Sequence, residues 1–184
     1  MNNNQLTTVT WQTLVKKGTV WSIWLFFLAL LQTSFFSVIT PFGAIPDMVL
    51  PAVITITVYD RERSGIISAI SGGFIIDALG SVGLALSPLV YMLCSVVIHL
   101  LVHTVLRRDF VSWLLGTFAS LIISSLFALI SAYSSMANPA FSFSSNLTGF
   151  VIPRIFSSLL VALPIYFLTK LIWSRFFDNR EMTG

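Results

Sequence analysis

Charge is scarce in this sequence: Asp, Glu, Lys and Arg make up 9% of its 184 residues, against 56% hydrophobic. Soluble domains carry roughly 25% charged residues, and a chain this short has no single water-soluble core that could hide so much apolar surface. The scarcity therefore reads as an integral membrane protein, in keeping with a mean hydropathy of +0.91. Cysteine is nearly absent too. The lone Cys94 lies inside an apolar run, which excludes an intrachain disulfide and leaves the redox compartment unread. There is no Walker sequence, HExxH pair, nucleophile elbow or Cys/His cluster, and no Ser–His or Ser–Lys set placed at one depth. Spans of about 20 apolar residues leave no room for a soluble catalytic domain. The chain is expected not to be an enzyme, with no cofactor and no nucleic-acid partner.

What is present is a series of apolar segments separated by turn or charge signals. The first runs from about Gly18 to Ile39 and ends at "TPFG". The second opens at "IPDMVLPAVITITV" and stops at "YDRER". The third is "SGIISAISGGFIIDAL", and the short link "GSVGLALS" leads to the fourth, Pro88 to Leu106. The fifth runs from Phe110 to about Ile130, and a Ser-rich loop precedes the sixth, Gly149 to Trp173. Runs this long satisfy their backbone groups in lipid as helices. The expected fold class is an all-α integral membrane protein with six transmembrane helices. It divides into a short N-terminal segment (1–17), one six-helix domain (18–173) and a tail (174–184). The second and third segments are short and carry Pro46, Pro51, Gly65, Gly72 and Gly73, so they are expected to be tilted, broken or sheltered.

Orientation follows from the basic residues. Lys16 and Lys17 precede the first span, Arg61 and Arg63 follow the second, and Arg107 and Arg108 follow the fourth. Lys170, Arg175 and Arg180 end or follow the sixth. With six spans all of these fall on one side, which the positive-inside rule makes cytoplasmic, with both termini inside. Trp11, Trp21, Trp24, Trp113 and Trp173 sit near the same ends, where indole rings favour the headgroup region. The N-terminus resembles a signal sequence but shows no small-x-small cleavage site, so it reads as an uncleaved first span.

Arg154 departs from this pattern, entering the sixth span from the outer side. Two acids share its depth. Asp47 opens the second span, and Asp77 lies roughly 20 Å from the cytoplasmic end of the third at about 1.5 Å per residue. Charges in hydrocarbon cost about 2.5–3.5 kcal/mol on insertion scales and face protein or water. The expectation is an Asp77–Arg154 ion pair, or a hydrogen-bonded network that includes Asp47. Alternatively each charge reaches the headgroups separately, and Asp47, beside Pro46, caps the second span. Gly65, Ala69, Gly73 and Asp77 recur every four residues along one stripe, where small residues admit a neighbouring helix. Ser112, Gly116, Ser120 and Ser124 form a similar stripe on the fifth span. On the fourth, Tyr91, Ser95, His99 and His103 share a face. With no third ligand in sight, it reads as an interior polar seam or partner contact rather than a metal site.

At "IPDMVLPAVI" and "SGIISAISGGFIIDALGSVGLALSPLVY" the sequence resembles the bacterial rod shape-determining protein MreD family. The matching positions are Pro46 and Asp47; Gly65, Gly72, Gly73, Phe74 and Asp77; and Leu84, Ser87, Pro88 and Leu89. The resemblance implies a non-enzymatic multi-pass protein of the bacterial cytoplasmic (inner) membrane, surrounded by membrane lipids. It would bind MreC through membrane helices, in one complex with MreB, RodA and a penicillin-binding transpeptidase, and help organise lateral peptidoglycan synthesis and cell shape. The family also resembles, in fold, the substrate-binding subunits of energy-coupling-factor vitamin transporters, which defines the alternative function. Against that alternative, the first span is bulky and lacks the A-x-x-x-A spacing such subunits offer their energising partner.

Overall fold

The computed structural model describes residues 3–40, 43–59, 64–80, 86–104, 110–135 and 147–176, with side chains described over 15–40, 43–59, 64–79, 86–102, 110–130 and 149–176. Most of the described residues are helical, and none of them forms a strand. Helix α1 (Asn3–Leu30) continues through a π turn, Leu31–Phe35, into a last turn, Phe36–Val38. Then come α2 (Val49–Tyr59), α3 (Ser64–Gly80), α4 (Ser87–Thr104) and α5 (Phe110–Ser135). A second π turn, Leu147–Val151, leads into α6 (Ile152–Phe176). Three helical stretches, Val15–Val38, Phe110–Ile130 and Gly149–Phe176, are long and apolar enough to cross a membrane; α2, α3 and α4 are shorter apolar helices. Because α1 begins at Asn3, Lys16 and Lys17 ride on it rather than precede it.

The organising element is α2. It packs against α1, α3, α4, α5 and α6, and those five contact one another in turn around it: α1 with α3, α3 with α4, α4 with α5, and α5 with α6. The ring closes where Trp21 of α1 stacks on Trp173 of α6 and the Trp24 indole N–H donates to Thr169 Oγ1 at 3.1 Å. Every residue from Val49 to Val58 is consequently buried. Eleven residues rise only about 16 Å, roughly half of a 30 Å hydrocarbon core. Such a short helix, entered through the non-helical stretch Ile45–Met48, is viable at membrane depth because protein surrounds it.

Glycine sets how closely α3 approaches its neighbours. A Cβ on Gly65 would sit 2.6 Å from Thr57 Oγ1 and 2.7 Å from its Cα, and one on Gly73 would run into the backbone of Pro88. The polar residues of α2 are satisfied locally and across the ring. Thr55 donates to Pro51 O (2.7 Å) and accepts the Trp113 indole N–H (2.8 Å). Thr57 donates to Val53 O (2.8 Å), and its hydroxyl meets that of Ser95 at 2.9 Å.

The tryptophans correct the sequence reading. Trp21 and Trp113 are buried in the core rather than lying in a lipid-facing belt. Trp113 packs on Tyr166 with ring centroids 4.4 Å apart, and the Tyr166 and Tyr59 hydroxyls meet at 2.5 Å. Lys170 lies over both tyrosine rings, and Lys17 over Trp173. This end of the bundle is closed by aromatic rings with ammonium groups on their faces. Of the basic residues that set the orientation, Arg61, Arg63, Arg107, Arg108 and Arg180 lie outside the described residues, as does the indole of Trp11.

Candidate functional site: a buried network around Asp47

At the opposite end of the bundle the chain turns into α2, and a helix that starts inside protein brings unsatisfied N–H groups with it. Three N–H groups at this start have side-chain acceptors. The Asp47 N–H donates to Ser158 Oγ of α6 at 2.7 Å, and the Met48 N–H donates to Gln32 Oε1 in the π turn after α1 at 2.9 Å. The Leu50 N–H donates to Asp47 Oδ1 at 3.1 Å, the i→i+3 geometry of a capping carboxylate. A negative charge there also suits the positive end of the helix dipole.

The Asp47 carboxylate is 1% exposed and gathers groups from three more helices. The Tyr91 hydroxyl of α4 lies 2.9 Å from both carboxylate oxygens, donating across them. Ser124 of α5 donates to Oδ2 at 3.5 Å. The Arg154 guanidinium of α6 sits 3.7 Å from Oδ2, its side chain 19% exposed, with its other side over the Phe150 ring. A buried carboxylate held by its own helix start, a phenol and a cation is neutralised and fixed in place. What the arrangement can do is lock α1, α4, α5 and α6 onto the start of α2. Its carboxylate is taken up by these partners.

The Asp77–Arg154 ion pair expected from the sequence is not formed. Arg154 pairs with Asp47, because α2 starts at the level where α6 begins and delivers its carboxylate to the ring centre. Asp77, near the end of α3, is half-buried, and its Oδ2 is buried without a hydrogen-bond partner. Pro46 is buried next to the network. Gly65, Gly72 and Gly73 are buried where α3 packs, Gly72 facing Val49 of α2 and Leu25 of α1. The α5 stripe of Ser112, Gly116, Ser120 and Ser124 is buried throughout. Of the α4 seam, Tyr91 and Ser95 are buried and bonded to Asp47 and Thr57, while His99 is half-buried. The side chain of His103 falls outside the described residues, as does Leu84 of the link.

Gln32 and Ser158 were not singled out from the sequence, although both serve the α2 start. Gln32 did carry a signal, as the one amide in the first apolar run. Ser158, in the pair Ser157–Ser158, did not, since serine in a membrane helix can bond its own backbone, as Ser157 does to Pro153 O at 2.7 Å. Comparisons with protein-family models, curated proteins and solved structures returned no match to this chain. Its function is therefore argued from its own residues.

Proposed function

We propose that this chain is a non-enzymatic component of the bacterial cell-elongation complex, a six-span protein of the cytoplasmic membrane that binds MreC and helps organise lateral peptidoglycan synthesis. The observation that carries the reading is the Asp47 network. The motif "IPD", on which the family resemblance partly rests, has its acid at the centre of the bundle, where five helices converge. Polar residues engaged in this way support a rigid membrane scaffold for other proteins. The glycine-rich motif has the same character, with Gly65 and Gly73 set for close helix packing. The exposed apolar faces of the outer helices, Phe26 and Phe27 on α1 or Leu160 and Phe167 on α6 among them, are surfaces for lipid or for partner helices.

The alternative, a solute-binding subunit of a vitamin transporter, draws on the partly exposed Arg154 and the unpartnered Asp77 Oδ2 at the outer end. The two readings separate in a detergent pull-down of the tagged protein from its native membrane, with mass spectrometry of what co-purifies. Recovery of MreC with other elongation proteins is expected. Recovery of an energising membrane subunit with paired ATPases would replace the scaffold reading with transport.

A further inference from the structure

At the basic end of the bundle one ammonium group has no counter-charge among the described residues. Lys170, exposed on α6, lies 5.7 Å from the Tyr59 ring centroid and 5.8 Å from that of Tyr166. The described carboxylates are Asp47 and Asp77, and both belong to the opposite end. The rings hold the ammonium group without neutralising it. In the sequence of the neighbouring loops and tail the acids are already matched by arginines. Asp60 and Glu62 alternate with Arg61 and Arg63, Asp109 follows Arg107 and Arg108, and Asp178 and Glu181 share the tail with Arg175 and Arg180. Lys16, Lys17 and Lys170 are therefore surplus positive charge at this end.

The same two rings supply a second donor. The Tyr59 and Tyr166 hydroxyls meet at 2.5 Å, with one proton between them. Two hydroxyls carry two protons, so the other O–H is left to donate, with no acceptor among the described residues. An ammonium group and a phenolic O–H on one pair of rings are matched by an anion with oxygen acceptors. What that anion is attached to follows from α6. Leu160, Leu163, Phe167 and Lys170 recur at three- and four-residue spacing on one stripe, and the first three are exposed apolar side chains. From Leu160 to Lys170 the stripe runs about 15 Å, half of a roughly 30 Å hydrocarbon core. That is the reach of an acyl chain within one leaflet, and it ends at the uncompensated charge.

We infer that Lys170 and the Tyr59–Tyr166 pair bind the phosphate of an anionic phospholipid whose acyl chain lies along Leu160, Leu163 and Phe167. A zwitterionic lipid also offers a phosphate, but it brings its own cation to a site that already has one. The inference goes beyond the proposed function and holds for either reading of the chain, since it needs only a bilayer around the bundle.

The full chain is purified in a neutral detergent and given phosphatidylglycerol and phosphatidylcholine of equal acyl length, and the retained lipid is counted by native mass spectrometry. Phosphatidylglycerol is expected to be retained in preference. Lys170→Gln should weaken its binding about fivefold, the effect of one basic residue at an anionic membrane surface, and Lys170→Arg should keep most of it. Arg175→Gln removes an exposed charge from the last turn of α6 and should change binding by no more than about twofold. Tyr59→Phe combined with Tyr166→Phe removes both hydroxyls and leaves neither unsatisfied. It should weaken phosphatidylglycerol about twofold to tenfold and leave phosphatidylcholine unchanged. If the unmodified chain retains phosphatidylglycerol no better than phosphatidylcholine, the inference is overturned without any variant. Equal losses from Lys170→Gln and Arg175→Gln overturn it too, because net charge then accounts for the binding. Displacement of the lipid by inorganic phosphate makes a free anion the occupant, and the lipid reading falls.

Discussion

Replacing Asp47 with alanine removes more than a charge, and the structure indicates how much. The α2 start loses its cap, worth about 1 kcal/mol. The buried Tyr91 hydroxyl loses both carboxylate oxygens at 2.9 Å, and an unsatisfied buried donor costs about 1–3 kcal/mol. Arg154, only 19% exposed, is left facing a vacancy. Breaking a buried ion pair from one side costs about 3–5 kcal/mol, and that range is expected for Asp47→Ala. Asp47→Asn keeps an acceptor for Leu50 and Tyr91 and loses only the charge, so it should cost clearly less. The assay is reversible unfolding in mixed micelles at rising fractions of sodium dodecyl sulfate, followed by the fluorescence of buried Trp21 and Trp113. The same assay supports two double-mutant cycles with Arg154→Gln. The Asp47 cycle should show coupling above about 0.5 kcal/mol, the usual scatter for independent sites, and the Asp77 cycle should not. An Asp47→Ala protein within about 1 kcal/mol of wild type, or stronger coupling through Asp77, would refute the assignment of the network.

Other substitutions probe the packing. Gly73→Ala drives a methyl group into the Pro88 backbone and should destabilise by about 1–3 kcal/mol, whereas Gly18→Ala, in open space within α1, should be neutral or stabilise by up to about 1 kcal/mol; equal effects in the same unfolding assay would contradict the close approach of α3 to α4. Thr55→Val preserves shape but leaves the Trp113 indole N–H without its 2.8 Å acceptor, for an expected loss of about 1–3 kcal/mol and a changed indole emission. Gln32→Leu strips the acceptor from the Met48 N–H, and hydrogen exchange at that amide should accelerate while the far end of α2 is little affected.

The apolar excess, the placement of the apolar runs and the small-residue stripes could all be read from the sequence, because hydrophobicity and spacing are local properties. An apolar chain with few charges must form helices whatever their neighbours, and Gly65, Ala69 and Gly73 fall on one stripe by helix geometry alone. That Asp47 caps a helix start is likewise a local fact, since the carboxylate and the Leu50 N–H are three residues apart. The partner of Arg154 is not local. Depth alone ranks Asp47 and Asp77 as equals, and the choice between them depends on which helix occupies the centre of the ring. No residue of α2 announces that position: an 11-residue helix that is apolar apart from Thr55, Thr57 and the terminal Tyr59 has no charged face from which its surroundings could be inferred. Trp21 and Trp113 were misread for a related reason, because an indole near a helix end suits a headgroup or a core equally well until the facing helix is known. Composition and periodicity thus determined that the chain is helical, apolar and closely packed. Only the tertiary structure decided that α2 lies at the centre, that Asp47 rather than Asp77 takes the cation, and that the Asp77 Oδ2 is buried without a hydrogen-bond partner.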